Sequence, residues 1–401
     1  MRESYIVTSL RTPVCRRKGA FAFTRPEDIL CAVIDGLIER TPGLEKKDVE
    51  DILIGCCFPE AEQGFNIARV TALLGKFPDE TSGATYNRFC SSSLETIAIQ
   101  SMRIASGWCE VAIAGGIESM SIVPMTGNLP RPHPDLAKDR PEAFTSMGVT
   151  AENVAKRYKI SREMQDEFSY HSHIKAAEAQ KKNLFKEIVP VPSHKYVEDA
   201  DGSVRREIRS QDIDDGIRAN TTISGLAKLR PIFSARGTVT AGNSSQMSDG
   251  ASATLLMSGD AVKKFGVKPA AMLKYFAVTG VKPDEMGVGP LYAIPKLLKI
   301  AGMKIDDIGL FEINEAFASQ AIYCLRELGL YNKELWESGS SVRKINVNGG
   351  AIALGHPIGC TGAKLAAQLI NMMKEKNVKY GIESMCVGGG MGAAALFELV
   401  E

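Results

Sequence analysis

Two cysteines and one histidine, far apart along the chain, stand in settings that an ordinary structural role does not explain. Cys90 lies in Thr85-Tyr86-Asn87-Arg88-Phe89-Cys90-Ser91-Ser92-Ser93, directly ahead of a run in which Leu94, Ile97, Ala98 and Met102 repeat at helical spacing and Gly107 supplies a stop. A thiol at a helix N-terminus faces unpaired N–H groups and the positive end of the helix dipole, which favour the nucleophilic thiolate. Most cysteines are small buried hydrophobes, but that role needs no crowd of serines. His356 sits within Asn346-Val347-Asn348-Gly349-Gly350-Ala351-Ile352-Ala353-Leu354-Gly355-His356-Pro357-Ile358-Gly359-Cys360-Thr361-Gly362, a glycine-rich loop ahead of another helical run. Cys386 precedes Gly388-Gly389-Gly390, whose N–H groups can approach an oxyanion unhindered. Asn314 and Glu315 follow a buried apolar run, at the kind of strand end where α/β sheets gather ligands. A reactive thiol, a histidine in a setting that a core residue would not need, a second thiol and backbone N–H groups open to an oxyanion stand together as the chemically loaded segments of the chain.

The elements needed to carry these groups occur twice in the same order. Residues 27–40 read as an amphipathic helix followed by Lys47-Asp48-Val49-Glu50-Asp51-Ile52-Leu53-Ile54-Gly55; residues 290–301 read as a helix followed by Lys304-Ile305-Asp306-Asp307-Ile308-Gly309-Leu310-Phe311-Glu312. The strand 111–114 runs into Gly115-Gly116-Ile117-Glu118-Ser119-Met120, and the strand 384–387 runs into Gly388-Gly389-Gly390-Met391-Gly392. Between these pairs each half has a Ser- or Gly-rich turn opening a helix, at 90–106 and 359–374. Alternating strands and helices with continuous apolar strands indicate α/β halves, whose packing would set the equivalent turns face to face. Residues 121–244 differ. They hold the proline-punctuated loop Leu129-Pro130-Arg131-Pro132-His133-Pro134, helical runs at 150–158 and 161–180 (the second opened by Ser161, with Glu163 in its first turn), and a charge-dense, exposed stretch at 195–218. The expected division is 1–120 plus 245–272 for the first half, 121–244 for an inserted loop domain over the site, and 273–401 for the second half.

Composition removes several classes of function. The chain has 401 residues, too many for one ordinary core, and its 44% hydrophobic and 24% charged content is that of a soluble globular protein. No apolar run is long enough to cross a bilayer. Net charge is +1, with 48 basic against 47 acidic residues, so neither nucleic acid nor a membrane surface is expected as a partner. Nine cysteines without a C-x-x-C exclude a zinc knuckle, and their odd number implies reduced thiols. Cys56 and Cys57 read as core strand residues, and His171 and His173 as solvated side chains on different helix faces, not metal ligands. The triglycine at 388–390 lacks the G-x-G-x-x-G spacing, and the chain ends too soon after it for a dinucleotide-binding unit. With no signal-peptide pattern at the start and no peroxisomal tripeptide at the end, a cytoplasmic location is expected.

The set Asn87-Arg88-Phe89-Cys90-Ser91-Ser92, Gly115-Gly116-Ile117-Glu118-Ser119-Met120, Asn314-Glu315-Ala316-Phe317, Gly355-His356-Pro357 and Cys386-Val387-Gly388-Gly389-Gly390 closely resembles the thiolase family, in family order and over essentially the whole chain. The resemblance implies a five-layer αβαβα fold of two related halves with an inserted loop domain, assembled as a homotetramer, a dimer of dimers. It implies that Cys90 attacks an acyl-CoA and holds the acyl group, that His356 takes the Cys90 proton, and that Cys386 serves as acid and base toward the acetyl-CoA enolate. The N–H groups of Cys90 and Gly388 would form one oxyanion hole, and His356 with a water held by Asn314 the other; loss of one such donor typically costs about 3 kcal/mol. Met147, Arg218, Ala241, Ser245 and Phe317 would line the CoA channel, with Gly225 where many members carry a serine. CoA and acyl-CoA are substrates, and neither a metal nor an organic cofactor is implied.

Two features of the likeness favour its degradative branch. Phe144-Thr145-Ser146-Met147 lacks the histidine that short-chain biosynthetic members commonly carry before the methionine, and Asn243-Ser244-Ser245-Gln246-Met247-Ser248-Asp249 is nearer the degradative pattern. The expectation is CoA-dependent cleavage of a 3-ketoacyl-CoA in fatty acid β-oxidation, with an acetyl-CoA acetyltransferase making acetoacetyl-CoA as the rival. Ketosynthase-like condensing enzymes usually pair the cysteine with two histidines, against Cys386 and Asn314 here. Thiolase-like lipid-binding proteins generally lack one of the reactive residues, whereas Cys90, Asn314, His356 and Cys386 are all present.

Overall fold

The strands are short apolar runs whose pairing forms two copies of one pattern. In the first half, Asp51–Gly55 pairs in parallel with Ser82–Tyr86 on one side and Val111–Ser119 on the other; Val111–Ser119 continues antiparallel to Ser248–Ser258, and that strand to Ser4–Arg11. In the second half, Leu310–Ile313 pairs in parallel with Tyr380–Val387, which continues antiparallel to Met391–Leu399 and then Ala271–Gly280. A lone parallel bridge from Phe311 to Ile345 stands where the first half has Ser82–Tyr86. One bridge, Ile6 to Ala271, joins the two sets into a continuous sheet. The computed structural model describes residues 2–400, so Met1 and Glu401, the outer ends of the expected halves, lie outside the described residues. Ala271–Gly280 straddles the expected boundary between 272 and 273.

Three apolar cores separate the layers. Ile29, Leu30, Val33 and Leu37 of helix Pro26–Glu39 cover the outer face of the first set of strands, against Ile52, Ile113 and Leu255. Ile294 and Leu297 of Gly289–Ala301, with Ile322 of Ala318–Glu327, cover the outer face of the second, against Phe311, Ile382 and Leu396. Between the sheets, helices Ser92–Ala105 and Thr361–Lys376 pack on each other through Leu94, Ile97, Ala363, Ala366 and Ile370. The result is an α/β fold of five layers, helix, sheet, helix, sheet, helix. Because both sheet faces are covered, Val111–Ser119 and Ser248–Ser258 are buried along their whole length and lack the alternation of a half-solvated strand. Among the described residues no helix is long and apolar enough to cross a membrane.

Charge is buried in the same interior. Arg11 has no exposed surface and pairs with Asp214 at 2.7 Å and Glu187 at 3.0 Å, tying residues between the paired strands to Ser4–Arg11. Glu312 and Glu383 lie directly opposite each other on parallel strands; both oxygens of Glu383 and Oε2 of Glu312 have no hydrogen-bond partner in the protein. Burial pushes Glu312 up to about 8 and Glu383 well above the usual carboxyl range. The segment 121–244 adds helices Met147–Arg157 and Arg162–Lys181, the latter capped by the Ser161 hydroxyl accepting the Met164 N–H at 3.3 Å, and the exposed hairpin Val191–Glu198 with Val204–Gln211.

Candidate active site

The turn before the first central helix is braced by its own side chains. Phe89 has φ of 44°, a left-handed conformation that a bulky residue adopts only when its surroundings impose it. Its N–H donates to Asn87 Oδ1 at 2.8 Å, while the Ser92 hydroxyl accepts the Arg88 N–H at 2.9 Å and donates to the Phe89 carbonyl at 2.6 Å. The Ser91 hydroxyl donates to the Arg88 carbonyl at 3.2 Å, and Ser93 accepts the Ala363 N–H of the facing helix at 2.9 Å. The serines therefore build the turn and fasten it to the second half instead of surrounding the sulfur. Cys90 is buried at the centre of this turn, Phe89–Ser91. Burial pushes its thiol up to about 11, against the opposing pull of the Gly388 and Cys90 N–H groups. Those N–H groups favour the thiolate as the helix-end position suggests, but desolvation outweighs them and the resting thiol is neutral.

His356 is held by a different device. Gly355 before it has φ of 88°, and a Cβ there would lie 2.4 Å from Ser248 Oγ, so only glycine fits. The His356 N–H is shared between the Gln246 carbonyl and Ser248 Oγ, each at 3.2 Å. The Thr361 hydroxyl donates to the Pro357 carbonyl at 2.9 Å, which uses its single proton. It must therefore accept the Nδ1–H of His356 at 2.6 Å, leaving Nε2 unprotonated and 3.4 Å from the Asn314 amide nitrogen. Burial, with a smaller contribution from the Lys364 charge, holds His356 down at about 3, so the imidazole is neutral.

Cys386 and Asn314 leave neighbouring parallel strands. The Asn314 N–H donates to the Ser384 carbonyl at 2.9 Å, and Asn314 Oδ1 is buried with no partner in the protein. Burial pushes the Cys386 thiol well above its ordinary value, and charge on Cys90 pushes it further. The strand Tyr380–Val387, which carries Cys386, packs on the Phe89–Ser91 turn, and a Cβ on Gly388 would lie 3.4 Å from Phe89 Cγ. Cys90, Cys386 and Gly388 form one group and His356 with Asn314 a second. The Phe89–Ser91 turn packs on the Ile358–Cys360 turn, which begins two residues after His356, and Asn314 and Cys386 emerge from adjacent strands.

The residues expected along a CoA channel fall into two places. Arg218 and Ala241 line a cleft of about 270 Å³ together with His173, Thr222, Gly225 and Gln246. Met147 and Phe317 instead pack around Cys386 in a small apolar cluster with Ala151 and Met286, and Phe233 meets Phe317 edge-on at 6.0 Å. Ser245 is next to the cluster, its N–H donating to the Ala316 carbonyl at 2.9 Å. Gln246 joins the two places, since it lines the cleft and its carbonyl receives the His356 N–H.

Some expectations need correction. His173 is buried, not solvated; its Nδ1 accepts the Arg218 N–H at 3.2 Å, and burial with the Arg218 charge holds it down at about 4. His171 is half-buried and bonded to Ser338. Cys56 and Cys57 are buried just beyond the strand Asp51–Gly55, not within it. Glu167, His171 and Glu337 have metal-like spacing, but the Lys333 ammonium already pairs with both carboxylates, at 2.6 and 3.1 Å. Three site residues escaped the sequence reading. Gln246 and Ser248 steer the His356 backbone, and Thr361 fixes its tautomer; a hydroxyl five positions after a histidine, at a helix start, was the available signal for Thr361.

A two-fold repeated α/β scaffold, with thiols and an imidazole gathered at strand ends and central helix starts, defines a class of acyltransferase. Residues 4–260 match the thiolase N-terminal domain and residues 267–399 the thiolase C-terminal domain, so the chain belongs to the thiolase family. It is 49% identical, over 100% of both chains, to a 3-ketoacyl-CoA thiolase of Bacillus subtilis (strain 168). Among solved structures it resembles the Bacillus anthracis acetyl-CoA acetyltransferase (35% identity, TM-score 0.87, 100% of this chain and 99% of that one). It also resembles the dimeric peroxisomal thiolase of Saccharomyces cerevisiae (36% identity, TM-score 0.86, 100% and 98% covered).

Proposed function

We propose that this protein is a 3-ketoacyl-CoA thiolase acting through a Cys90 acyl-enzyme. It uses CoA to cleave a 3-ketoacyl-CoA into acetyl-CoA and a shortened acyl-CoA, and the reaction reverses by Claisen condensation. The observation that supports this reading is the packing of the Cys90 turn, Phe89–Ser91, against both the Ile358–Cys360 turn that follows His356 and the strand Tyr380–Val387 that carries Cys386, with Gly388 lying against Phe89. Cys90 attacks the 3-keto carbonyl as His356 Nε2 takes the thiol proton. Both groups rest neutral, so the proton moves as the carbon–sulfur bond forms. The C2–C3 bond then breaks, and Cys386 gives its proton to the acetyl-CoA enolate. Cys386 regains a proton from the incoming CoA thiol, which attacks the acyl group and expels Cys90; His356 returns the proton to the departing sulfur. The Cys90 and Gly388 N–H groups stabilise one oxyanion, and His356 with a water on the free Asn314 Oδ1 the other.

Arg218 and Ala241 hold CoA along the cleft, and Met147, Ser245 and Phe317 wall its reactive end. Residues 121–244 form the covering domain between a first half at 1–120 plus 245–272 and a second at 273–401. No metal or organic cofactor takes part. The setting is cytoplasmic fatty acid β-oxidation, and the assembly a homotetramer built from dimers. Support for a dimer comes from the free side of the edge strand Ser82–Tyr86, beside which Phe65 is 96% and Trp108 76% exposed.

Intact-protein mass after brief exposure to a 3-ketoacyl-CoA without free CoA tests the acyl-enzyme. An acyl adduct mapped to Cys90, absent in Cys90→Ala, is expected; an adduct elsewhere overturns the reading. A thiolysis series from C4 to C16 substrates tests the branch, and activity confined to C4 would assign the acetyl-CoA acetyltransferase reaction instead.

A further inference from the structure

Glu118 is buried near the end of Val111–Ser119, and the groups that bond it are donors. Its Oε2 accepts the N–H groups of Cys57 and Gly359, both at 2.9 Å. Its Oε1 accepts Gln63 Nε2 at 2.9 Å and the Phe58 N–H at 3.4 Å. A protonated carboxyl would need an acceptor for its own hydrogen, so this donor-only setting selects the ionised form. Burial raises the carboxyl from its usual value, and the bonds from Gln63, Cys57 and Gly359 oppose that rise.

The donors come from both halves of the molecule. Cys57, Phe58 and Gln63 belong to the first half, whereas Gly359 lies three residues beyond His356, in the turn Ile358–Cys360. Backbones here are in direct contact. A Cβ on Gly116 would lie 2.4 Å from the Gly359 carbonyl oxygen and 2.6 Å from Ser93 Cβ. Glu118 therefore sits where the Cys90 helix start, the His356 turn and the segment after Asp51–Gly55 converge.

We propose that Glu118 is a positioning residue for thiolysis, its carboxylate fastening Gly359 to the first half and thereby holding His356 at the Cys90 turn. This rests on the roles proposed above for Cys90 and His356. The thiol within bonding reach of Glu118 is Cys56, whose Sγ lies 4.0 Å from Oε1; the carboxylate makes no hydrogen bond to Cys90, Cys386 or the His356 ring, and its effect on the reaction passes through Gly359. The ionisable groups facing it are the thiols of Cys56, Cys57, Cys90 and Cys360, each of which its charge pushes upward.

Two substitutions separate charge from reach. Glu118→Gln turns an amide N–H toward main-chain donors and removes the charge; Glu118→Asp keeps the charge but falls short of Gly359. In Glu118→Gln, kcat for thiolysis should fall about 10²-fold while KM for CoA changes little, since reacting groups displaced by about 1 Å lose that much rate. The pH profile for iodoacetamide alkylation of Cys90, read by peptide mass, should move to lower pH because a neighbouring negative charge has gone. In Glu118→Asp, kcat should fall while the alkylation profile stays in place. Wild-type kcat in either variant overturns the proposal, as does an unmoved Cys90 profile in a folded Glu118→Gln protein. If Glu118→Gln does not fold, as judged by circular dichroism, Glu118→Asp decides alone: lost kcat with an unmoved profile supports the role. Cys90→Ala is assayed alongside; if it still cleaves 3-ketoacyl-CoA, the acyl-enzyme reading fails whatever the Glu118 variants do.

Discussion

The turns Phe89–Ser91 and Ile358–Cys360 open matching central helices in halves that repeat one strand order, yet they are secured in opposite ways. The first is braced from within, by Asn87, Ser91 and Ser92 around a left-handed Phe89. The second is held largely from without, by Glu118 on Gly359 and by Gln246 and Ser248 on His356. One presents a thiol and the other an imidazole. The contrast shows how a duplicated scaffold gains chemistry. Repetition supplies two helix starts aimed at one seam; the first half contributes the Cys90 thiol there, and the second contributes the His356 imidazole and, from a strand, the Cys386 thiol.

Removing the thiol should give the largest effect. Cys90→Ala should lower thiolysis about 10⁵-fold or more, as loss of a nucleophile does elsewhere; a steady-state assay against wild type measures it, and substantial residual turnover would move the nucleophile to another residue. Asn314→Ala comes next, with kcat expected to fall about 10²-fold through loss of one oxyanion partner. Single-turnover kinetics would place that loss in bond-making if acylation slows as much as turnover.

The two glycines that meet the facing turns sharpen the contrast further. A Cβ on Gly359 would lie 2.7 Å from the Cys57 nitrogen and 2.8 Å from Glu118 Oε2, whereas at Gly388 the nearest atom is Phe89 Cγ at 3.4 Å. Gly359→Ala should destabilise the fold by about 1–3 kcal/mol from overpacking, and Gly388→Ala by less. Urea denaturation compares them, and the reverse order would undo the distinction between the turns. The smallest effect concerns pH. With Cys90 near 11 and His356 near 3, neither titrates between those values, so acylation of the free enzyme should vary little from about pH 5 to 9. An acid limb at 6.5, the ordinary histidine value, would mean that His356 is hydrated.

The two-fold repeat was legible because strands covered on both faces read as unbroken apolar runs, and because helix starts carry local signals such as Ser161. What escaped was long-range. The bonds from Ala363 to Ser93 and from Gly359 to Glu118 join residues 270 and 241 positions apart, and no local pattern announces them. The serines beside Cys90 looked like a polar setting for sulfur because composition cannot reveal which backbone group a hydroxyl meets. The helix-end argument for Cys90 had the correct sign but omitted desolvation, which is larger here. Helical position alone predicts a solvated His173, although the backbone at Arg218 packs over it. The CoA-channel assignments came from family likeness, and the separation of Arg218 from Met147 was beyond the reach of spacing.

Glu312 and Glu383 have a consequence for how the chain matures. In the unfolded chain both would release their protons near the ordinary carboxyl value of 4.5, whereas in the core burial pushes Glu312 up to about 8 and Glu383 well above its ordinary value. Between those limits the native state binds more protons, so folding draws them from the medium and stability falls as pH rises through that window. Mild acidity therefore favours closure of the sheet beneath the second helix, and an alkaline medium works against it.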